Sequence, residues 1–361
     1  MSGINNKKIM NALENSKAKI TMFADGFVDE VWEIISSRAS SKDFSIYTQM
    51  TQFSERIQSS GTGGVGLELV RKRRSFGGFT PNTGYALARL GVDTTLVGVY
   101  GKEHIDPVFE EIGRLCHLFS LGDPAVTHIF EFDDGKIMLS HMEAVQDINW
   151  QRIVETLGMG KMDSLLAQSD IIGVGYWSLL PAFDEIVAGA CEAFPEDNKT
   201  RRFFFDFADF RKKDVDSLND TLQKLKTLNE KYPMTLSVNE HEAAALFGMY
   251  DETLDDKGRP IQEKIEYIRQ RIALDEFVVH TPYYAAAASS KENPAFAASV
   301  FCERPVRTAG AGDTFNGGYL AASLAGLDIT ERLQVGNAAV GFFLRNSTPP
   351  EIKHLAQYIN E

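Results

Sequence analysis

The second half of the chain alternates continuous apolar runs with segments of helical periodicity. The apolar runs are SDIIGVGYW (169–177), RFFFDFAD (202–209), MTLSVNE (234–240) and EFVVHT (276–281), and each ends in polar or small residues. Short runs without alternating polar residues are typical of strands buried on both faces, and intervening helices predict a parallel sheet covered on both sides. Ligands bind beyond the carboxyl ends of such strands, so the polar residues there are candidate site residues.

The composition is that of a globular protein and argues against nucleic acid as a partner. Of the 361 residues 43% are hydrophobic, and the formal net charge is −13, whereas nucleic-acid-binding surfaces are basic. No apolar run reaches the roughly 18 residues of a membrane span, and the first 20 residues lack a signal-peptide pattern. Three separated cysteines predict neither a disulfide framework nor a zinc site, so we expect a cytoplasmic protein without a membrane partner.

Three segments of the first half do not fit a buried parallel sheet. Residues 1–18 are predicted to form an N-terminal helical extension, and residues 19–361 one domain. Within 41–75 lie two exposed strand patterns, FSIYTQM (44–50) and GLELVRKRR (66–74), and THIFEFDDGKIMLSH (127–141) is predicted as a hairpin around an Asp-Gly turn. These strands predict a small separate sheet, which we interpret as a lid.

Small residues precede an aspartate in RTAGAGDTFNGGYLAASLAG (307–326). Gly310, Ala311 and Gly312 allow backbone N–H groups to converge without obstruction by larger side chains. A helix that begins near Asp313 adds the positive end of its dipole, so the segment predicts an anion site. Two interpretations of Asp313 stay open at this point. It caps the helix, or it takes a proton from an attacking hydroxyl while the N–H groups stabilise a phosphoryl group.

The segment TAGAGDTFNGG (308–318) closely resembles the C-terminal signature of the ribokinase/PfkB family of carbohydrate and nucleoside kinases. Three further segments resemble family motifs and follow in the family's order: ADGFVDEVW (24–32), FGGFTPNTGYALARLGVDTTLVGVYGKE (76–103) and LSVNEHEAAALFG (236–248). The resemblance implies an α/β ribokinase-like fold, with a mainly parallel central sheet flanked by helices and a small β-sheet lid. It also implies transfer of the γ-phosphoryl group of ATP to a hydroxyl of a sugar or sugar-like substrate.

The resemblance assigns roles to matching positions. Asp313 is expected to be the catalytic base, and Gly310, Ala311 and Gly312 are expected to form the anion hole. The residues expected to bind the substrate are Asp29, Gly78, Asn82 and, less directly, Arg211, whose guanidinium could hold a carboxylate or phosphate. An exposed loop arginine is the alternative interpretation of Arg211.

The expected cofactors are ATP and Mg²⁺. Asn239 and Glu242 would hold the metal, since Mg²⁺ keeps several waters and needs few protein ligands; taken alone, the pair also fits the start of a solvated helix. Thr281 and Asn337 would lie at the nucleotide, with Gly310 and Gly312 at its phosphates. As a lone helical asparagine, Asn337 also fits a packing or capping role.

Two positions depart from the family pattern. Arg307 stands where most members carry an aspartate of a monovalent-cation site, which argues against potassium activation and raises the hypothesis that its charge replaces the cation. The family's glycine-rich turn near the phosphates is replaced by HTPYYAAAAS (280–289), which has Tyr283 and Ala286 at the glycine positions. We expect altered nucleotide binding there, because a close backbone approach needs glycine.

Two other functions compete with a sugar kinase. A nucleoside kinase would present an aromatic wall to the base, for which Phe27, Phe79 and Trp177 are candidates, although each also fits the core. A catalytically silent ligand-binding protein would explain the two departures from the family pattern but would leave Asp313 without a role.

The basic run RKRR (71–74) fits a solvated edge strand or a phosphate-binding patch. Family members commonly dimerise through the lid, so a homodimer with contacts at the 127–141 hairpin is expected.

Overall fold

The computed structural model of the chain describes residues 2–193, 201–251 and 258–359. Its strands are β1 (Lys19–Phe23), β2 (Phe27–Arg38), β3 (Phe44–Ile46), β4 (Glu68–Gly77), β5 (Asp93–Gly98), β6 (His117–Ser120), β7 (Ala125–Phe132), β8 (Gly135–His141), β9 (Ile171–Gly175), β10 (Arg202–Asp206), β11 (Met234–Asn239), β12 (Glu276–His280), β13 (Tyr284–Ser289) and β14 (Ala295–Ala298).

The α-helices are α1 (Ser2–Asn15), α2 (Met50–Gln58), α3 (Phe79–Arg89), α4 (Glu110–Gly113), α5 (Glu143–Gln146), α6 (Trp150–Leu157), α7 (Met159–Gln168), α8 (Phe183–Glu192), α9 (Val215–Asn229), α10 (Glu240–Tyr250), α11 (Ile261–Ile272), α12 (Ala311–Leu324), α13 (Ile329–Asn346) and α14 (Ile352–Tyr358). Short 3₁₀ turns occur at Gly61–Gly63, Pro107–Phe109 and Phe210–Lys212. No helix in the described ranges combines the length and the apolarity that crossing a membrane requires.

A large sheet forms the centre of the molecule, with the strand order β14-β13-β12-β11-β10-β9-β1-β5-β6. The pairs from β6 to β12 are parallel, whereas β13 and β14 are added antiparallel at one edge. Every residue of β9 is buried, as expected for a strand with helices on both faces. The predicted α/β fold with a mainly parallel sheet is confirmed.

The second sheet has five strands and is built around β2. β2 pairs antiparallel with β4 along one edge and parallel with β7 along the other, β3 pairs with its far end, and β8 closes the hairpin with β7. The second half of FSIYTQM is not a strand: β3 ends at Ile46 and α2 begins at Met50. The reason is the helical spacing of Met50, Phe53 and Ile57, together with a hydrogen bond from the Met50 N–H to Asp134 Oδ1 at 2.8 Å.

The N-terminal segment forms a helix but does not stand apart from the rest of the fold. Ile9 and Leu13 on α1 are buried in the same apolar cluster as Leu320 of α12 and Leu355 of α14. Lys8 adds an ion pair to Glu331 on α13. The helix is therefore integrated into one face of the main body.

Two helix N-termini meet at the carboxyl ends of the central strands. α3 follows β4, and α12 follows the 299–310 loop. The two helices pack closely because Gly317 of α12 faces Ala86 of α3. A Cβ added to Gly317 would lie only 2.5 Å from the Ala86 Cβ. The carboxyl ends of β1, β9 and β10 lie at the same edge of the sheet. Polar residues from five elements are thus brought to one place.

Candidate active site

Asp313 lies in the first turn of α12 and is buried, with 5% of its surface exposed. Its carboxylate accepts two hydrogen bonds, from Tyr176 Oη to Oδ1 at 2.7 Å and from Asn82 Nδ2 to Oδ2 at 2.9 Å. The chain enters this turn at Gly310, whose φ of 87° lies in the left-handed region that favours glycine. The carboxylate is therefore held in one orientation from both sides.

Burial raises the pKa of Asp313 well above its usual range, and the charge of Asp206 adds to this effect. The hydrogen bonds from Tyr176 and Asn82 oppose the rise because they favour the ionised form. Asp206 is itself buried, and desolvation raises its pKa to about 6. A carboxylate of high pKa in a dry setting is a strong base, which suits removal of a proton from a hydroxyl.

The N-terminal turn of α12 offers backbone donors beside this carboxylate. The N–H of Ala311 donates to the Thr308 carbonyl at 3.1 Å, whereas the N–H groups of Gly312 and Asp313 are among the unpaired donors of a helix start. Of the three residues expected to form an anion hole, Ala311 thus has its N–H occupied. The open donors and the helix dipole still make this turn suitable for a phosphoryl group.

Asp29 lies on β2, where the small sheet meets the central one. Its carboxyl group sits against Gly77 of β4, where an added Cβ would lie 2.4 Å from Oδ2. Burial raises its pKa to about 6, against the opposing charges of Arg307, Lys136 and Arg73. A half-buried carboxylate is a suitable acceptor for sugar hydroxyls.

Gly78 precedes α3 with a φ of 97°. An added Cβ there would lie 2.7 Å from Asp25 Oδ2. The Asp25 carboxylate accepts the N–H groups of Phe79 at 2.8 Å and Thr80 at 2.7 Å, which fixes the start of α3. Gly78 thus allows the backbone to approach Asp25, and one turn later α3 presents Asn82 to Asp313.

A cavity of about 270 Å³ adjoins Asn82 and Thr314, and its wall includes Arg307. The Arg307 guanidinium lies over the Phe343 ring at 5.7 Å, and its buried Nε has no hydrogen-bond partner among the described residues. The charges of Asp29 and Asp313 both act on it. An arginine under the influence of two carboxylates therefore stands where the family pattern has an aspartate.

Asn239 and Glu242 form a capping box at the start of α10. The Asn239 N–H donates to Glu242 Oε2 at 2.9 Å, and Asn239 Nδ2 donates to Oε1 at 2.6 Å. Burial, and next the charge of Asp206, raises the pKa of Glu242 to about 8. Among the described residues no group of three or more histidine, cysteine, aspartate or glutamate side chains could hold a metal ion by itself. Such a sparse set fits Mg²⁺, which keeps most of its waters.

A second cavity, of about 520 Å³, is lined in part by the α12 turn, through Ala311 and Gly312. Gly312 lines it, whereas Thr314 lines the smaller cavity, so Asp313 stands between the two in the chain. Thr281 and Asn337 both line this larger cavity. Thr281 Oγ1 accepts the N–H groups of Tyr283 and Tyr284 and closes a tight turn between β12 and β13.

Other candidates from the sequence make structural contacts of their own. Arg211 is exposed and pairs with Asp209 at 2.7 Å, and the charge of Glu242 also acts on it. The candidate aromatic wall of Phe27, Phe79 and Trp177 is buried in the core. The basic residues of 71–74 pair with carboxylates, which fits a solvated sheet: Arg71 and Arg74 with Glu30, Lys72 with Glu33, and Arg73 with Glu131.

The family model described as prokaryotic ketohexokinase matches residues 6–361. The chain belongs to the prokaryotic ketohexokinase family. A ketohexokinase of Haloferax volcanii is 28% identical over 341 residues, which cover 92% of this chain and 88% of the relative. The resemblance to carbohydrate kinases is thereby confirmed, and the chain is a PfkB-type carbohydrate kinase.

Solved structures share the ribokinase-like fold of this ketohexokinase-family chain. A protein described as ribokinase II from E. coli, in complex with ATP and Mg²⁺, has a TM-score of 0.64 at 15% identity and covers 95% of this chain and 99% of its own. An adenosine kinase from Sinorhizobium meliloti has a TM-score of 0.64 at 17% identity, over 95% of this chain and 98% of its own. At these identities the likeness shows the fold alone.

Four further polar residues belong to this kinase's site: Tyr176, Asp25, Asp206 and Asn316. Asp25 and Asn316 lie within the motif-like segments 24–32 and 308–318 but were assigned no role there, and Tyr176 and Asp206 stand at the polar ends of apolar strand runs. Asn316 Nδ2 donates to Asp206 Oδ2 at 2.9 Å, and Ser237 Oγ donates to Asn316 Oδ1 at 2.7 Å. The rule that ligands bind at strand carboxyl ends is the signal that could have found the first three.

Proposed function

We propose that this kinase transfers the γ-phosphoryl group of ATP, as its Mg²⁺ complex, to a hydroxyl of a ketohexose. The observation that carries the proposal is the buried Asp313 carboxylate, fixed by Tyr176 and Asn82 at a helix N-terminus. The chain neighbours of Asp313 line two cavities, Thr314 one of about 270 Å³ and Gly312 one of about 520 Å³. This arrangement suits a base placed between an acceptor and a phosphoryl donor.

The sugar is proposed to lie between Asp29, Asn82 and Asp313. Asp29 accepts hydrogen bonds from sugar hydroxyls, and Asn82 holds Asp313 so that Oδ1 or Oδ2 faces the reacting hydroxyl. As the hydroxyl oxygen forms its bond to the γ-phosphorus and the bond to the leaving ADP oxygen breaks, Asp313 takes the hydroxyl proton. The free N–H groups of Gly312 and Asp313 stabilise the negative charge on the transferring group.

The metal would be held, through its waters, near Glu242, Asn239 and Asp206. Burial leaves Glu242 and Asp206 with raised pKa values, about 8 and about 6, and a cation nearby offsets the cost of ionising both. When bound, Mg²⁺ would neutralise part of the negative charge on the ATP phosphates. The ribokinase-like fold of the E. coli structure with ATP and Mg²⁺ supports this choice of cofactors.

The choice of a ketohexose rests on the family model and the Haloferax relative. The nucleoside alternative loses its proposed aromatic wall, because Phe27, Phe79 and Trp177 are 5%, 0% and 2% exposed. The nucleobase of a nucleoside substrate would therefore have to stack on other residues. A catalytically silent binding protein would not need two hydrogen-bond donors, Tyr176 and Asn82, to orient the Asp313 carboxylate.

The activity is tested by ADP release with ATP and Mg²⁺ across ketohexoses, aldohexoses, pentoses and nucleosides. We expect turnover on ketohexoses, and a fall in kcat of ~10²–10⁴ in Asp313→Asn. Asp170→Asn is the control, since Asp170 is exposed at the opposite end of the sheet, next to β9, and accepts the Lys19 N–H. Sugar binding without turnover in the wild type would instead support the silent scaffold, and turnover on nucleosides alone would exclude the sugar assignment.

We also propose that the kinase is cytoplasmic and forms a homodimer through the small sheet. Leu69 on β4 and Met138 and Leu139 on β8 are 43%, 49% and 56% exposed. Exposed apolar groups on one sheet are typical of an interface. Light scattering should give a dimer for the wild type and a monomer for the double variant Met138→Lys, Leu139→Lys. A monomeric wild type at micromolar concentration would contradict this.

A further inference from the structure

A cavity of about 170 Å³ lies at the amino ends of three neighbouring strands of the central sheet. Lys19, Asp93 and His117, the first residues of β1, β5 and β6, line it, and residues of α7 complete the wall. The strands are parallel and begin side by side, with Lys19 paired to Asp93 in the register. Asp313 contacts Tyr176 just beyond the carboxyl end of β9, so this cavity is separate from the active site.

The strand faces that line this cavity are polar, although a helix covers them. Thr21 and Thr95 line the cavity and are only 1% and 7% exposed, where a strand beneath a helix normally carries an apolar side chain. The Thr21 hydroxyl donates to Ser169 Oγ at 2.7 Å, because Ser169 Oγ gives its own proton to the Leu165 carbonyl at 2.8 Å. The Thr95 hydroxyl has no hydrogen-bond partner in the part of the chain that the structure describes, so it is a free donor at the cavity wall.

The charged side chains at this cavity sum to a positive charge, on a protein whose formal net charge is −13. Of the lining residues only Asp93 is acidic, and it already contacts Lys19 Nζ at 3.1 Å and His117 Nε2 at 3.4 Å. Lys161 Nζ lies over the Phe119 ring at 5.0 Å, and within the described ranges it forms no ion pair. An aromatic ring attracts an ammonium group but does not neutralise its charge, so an anion would complete the site.

We propose that this cavity binds the phosphate group of a small molecule at a second site, apart from the catalytic one. Lys161 supplies a positive charge, and Thr95 supplies a buried hydroxyl donor. Ser164 Oγ accepts the Gln168 amide N–H at 2.9 Å and keeps its own proton free to donate. Three donors suit a phosphate, which presents three strong acceptor oxygens, better than a carboxylate with two. The cavity is smaller than those that hold drug-sized ligands, so the group attached to the phosphate is short.

Nuclear magnetic resonance of the histidine rings tests the site, with inorganic phosphate as the probe. His117 lines this cavity, whereas His280 lines the cavity at the α12 turn, so the two rings report on separate places. Their signals are assigned from His117→Gln and His280→Gln. At constant pH and ionic strength, we expect added phosphate to shift the His117 signal until the site is saturated. A His117 signal that does not move, or a shift confined to His280, would overturn the proposal.

Lys161→Gln tests the contribution of the charge. We expect the dissociation constant for phosphate, measured from the His117 shift, to rise about tenfold or more, because a hydrogen bond to a charged group is lost. Lys226→Gln is the matched control, since it removes the charge of an exposed lysine on α9 that does not line the cavity. Equal phosphate binding in Lys161→Gln and in the wild type would overturn the proposal.

Thr95→Val tests the hydroxyl with little change of side-chain shape. Because it removes a buried hydroxyl without a partner, we expect the Tm to stay equal or to rise while phosphate binding weakens about fivefold. Methyl phosphate and acetate then test the class of ligand. Methyl phosphate should bind about tenfold more tightly, since it carries more charge and more acceptor oxygens. Equal binding of methyl phosphate and acetate would overturn the assignment to a phosphate.

Discussion

Tyr176 Oη and Asp313 Oδ1 are 2.7 Å apart although the residues are 137 positions apart in the chain. Tyr176 follows β9 and Asp313 opens α12, so the bond links the central sheet to the anion-binding turn. Burial and nearby carboxylates raise the pKa of Tyr176 well above its usual range, which keeps its hydroxyl a donor. Asp313 is therefore oriented by a group that stays protonated.

We expect Tyr176→Phe to shift the pH dependence of the reaction. The hydrogen bond favours the ionised carboxylate, so its loss raises the pKa of Asp313 further. Since the base must be ionised, the acidic limb of the kcat/KM profile should move to higher pH by about one unit, the size expected for a hydrogen bond to a charged group. Tyr100→Phe is the control, because the buried Tyr100 hydroxyl has no hydrogen-bond partner within the described parts of the chain. An unshifted profile in Tyr176→Phe would refute the role of this bond.

Gly310→Ala should reduce turnover as well as stability. Gly310 has a φ of 87°, and an added Cβ would lie 3.4 Å from the Asn82 amide that bonds Asp313. An alanine in this left-handed conformation would strain the turn by about 1–2 kcal/mol. We expect kcat to fall about tenfold or more, because the Asp313 carboxylate would be displaced from its position. Gly326→Ala is matched in conformation, with a φ of 71° and no atom within 4 Å of the added Cβ. If both variants lose the same stability and neither loses kcat, the turn tolerates the change.

Much of the fold was predictable because its signals are local. The buried runs of β9 to β12 and the Asp-Gly hairpin of β7 and β8 need only their own sequence to be recognised. β2 was not predicted, since one end of the strand lies in the core and the other end lies in the small sheet. Its burial therefore follows no simple alternation.

The site was only partly predictable for a related reason. Asp313, Asn82 and Asp29 lie in motif-like segments, and the structure brings Asn82 into contact with Asp313. The hydrogen bond from Tyr176 to Asp313 cannot be read from sequence spacing. It becomes visible only once the strands of the central sheet and α12 have been placed relative to one another. The pairing of Arg211 with Asp209 is equally invisible in a sequence that allows several partners for an arginine.

Stability should fall as pH rises through the titration range of Asp25. Burial raises the pKa of this carboxyl from 3.8 to about 7, so the folded state keeps a proton that the unfolded chain releases near pH 4. Its contribution is fully present below about pH 4 and is lost by about pH 7. Asp25→Asn should therefore show a smaller drop in Tm between pH 5 and pH 8 than the wild type, whereas the exposed Asp43→Asn should match the wild type. An unchanged drop in Asp25→Asn would contradict the raised pKa.

Removal of the Arg307 charge should weaken sugar binding most at low pH. Arg307 lowers the pKa of Asp29, which burial has raised to about 6, so its loss leaves Asp29 protonated up to a higher pH. A protonated Asp29 has lost acceptor capacity for sugar hydroxyls. We expect Arg307→Gln to raise the sugar KM about threefold at pH 6.5 and hardly at all at pH 8.5, if the loss of the charge raises the pKa of Asp29 by about one unit. Arg307→Lys should restore most of the loss, and failure of that rescue would favour a packing role on Phe343.

The same residue tests whether a fixed charge replaces a metal ion. Arg307 occupies the position at which the family pattern has an aspartate of a cation site, and its guanidinium lies within reach of the charges of Asp29 and Asp313. We expect wild-type turnover to be the same in potassium and in tetramethylammonium salts of equal ionic strength. Arg307→Asp removes the positive charge and adds a carboxylate, so its residual activity should rise with potassium. Activation of the wild type by potassium, or no response in the variant, would show that the arginine does not stand in for the ion.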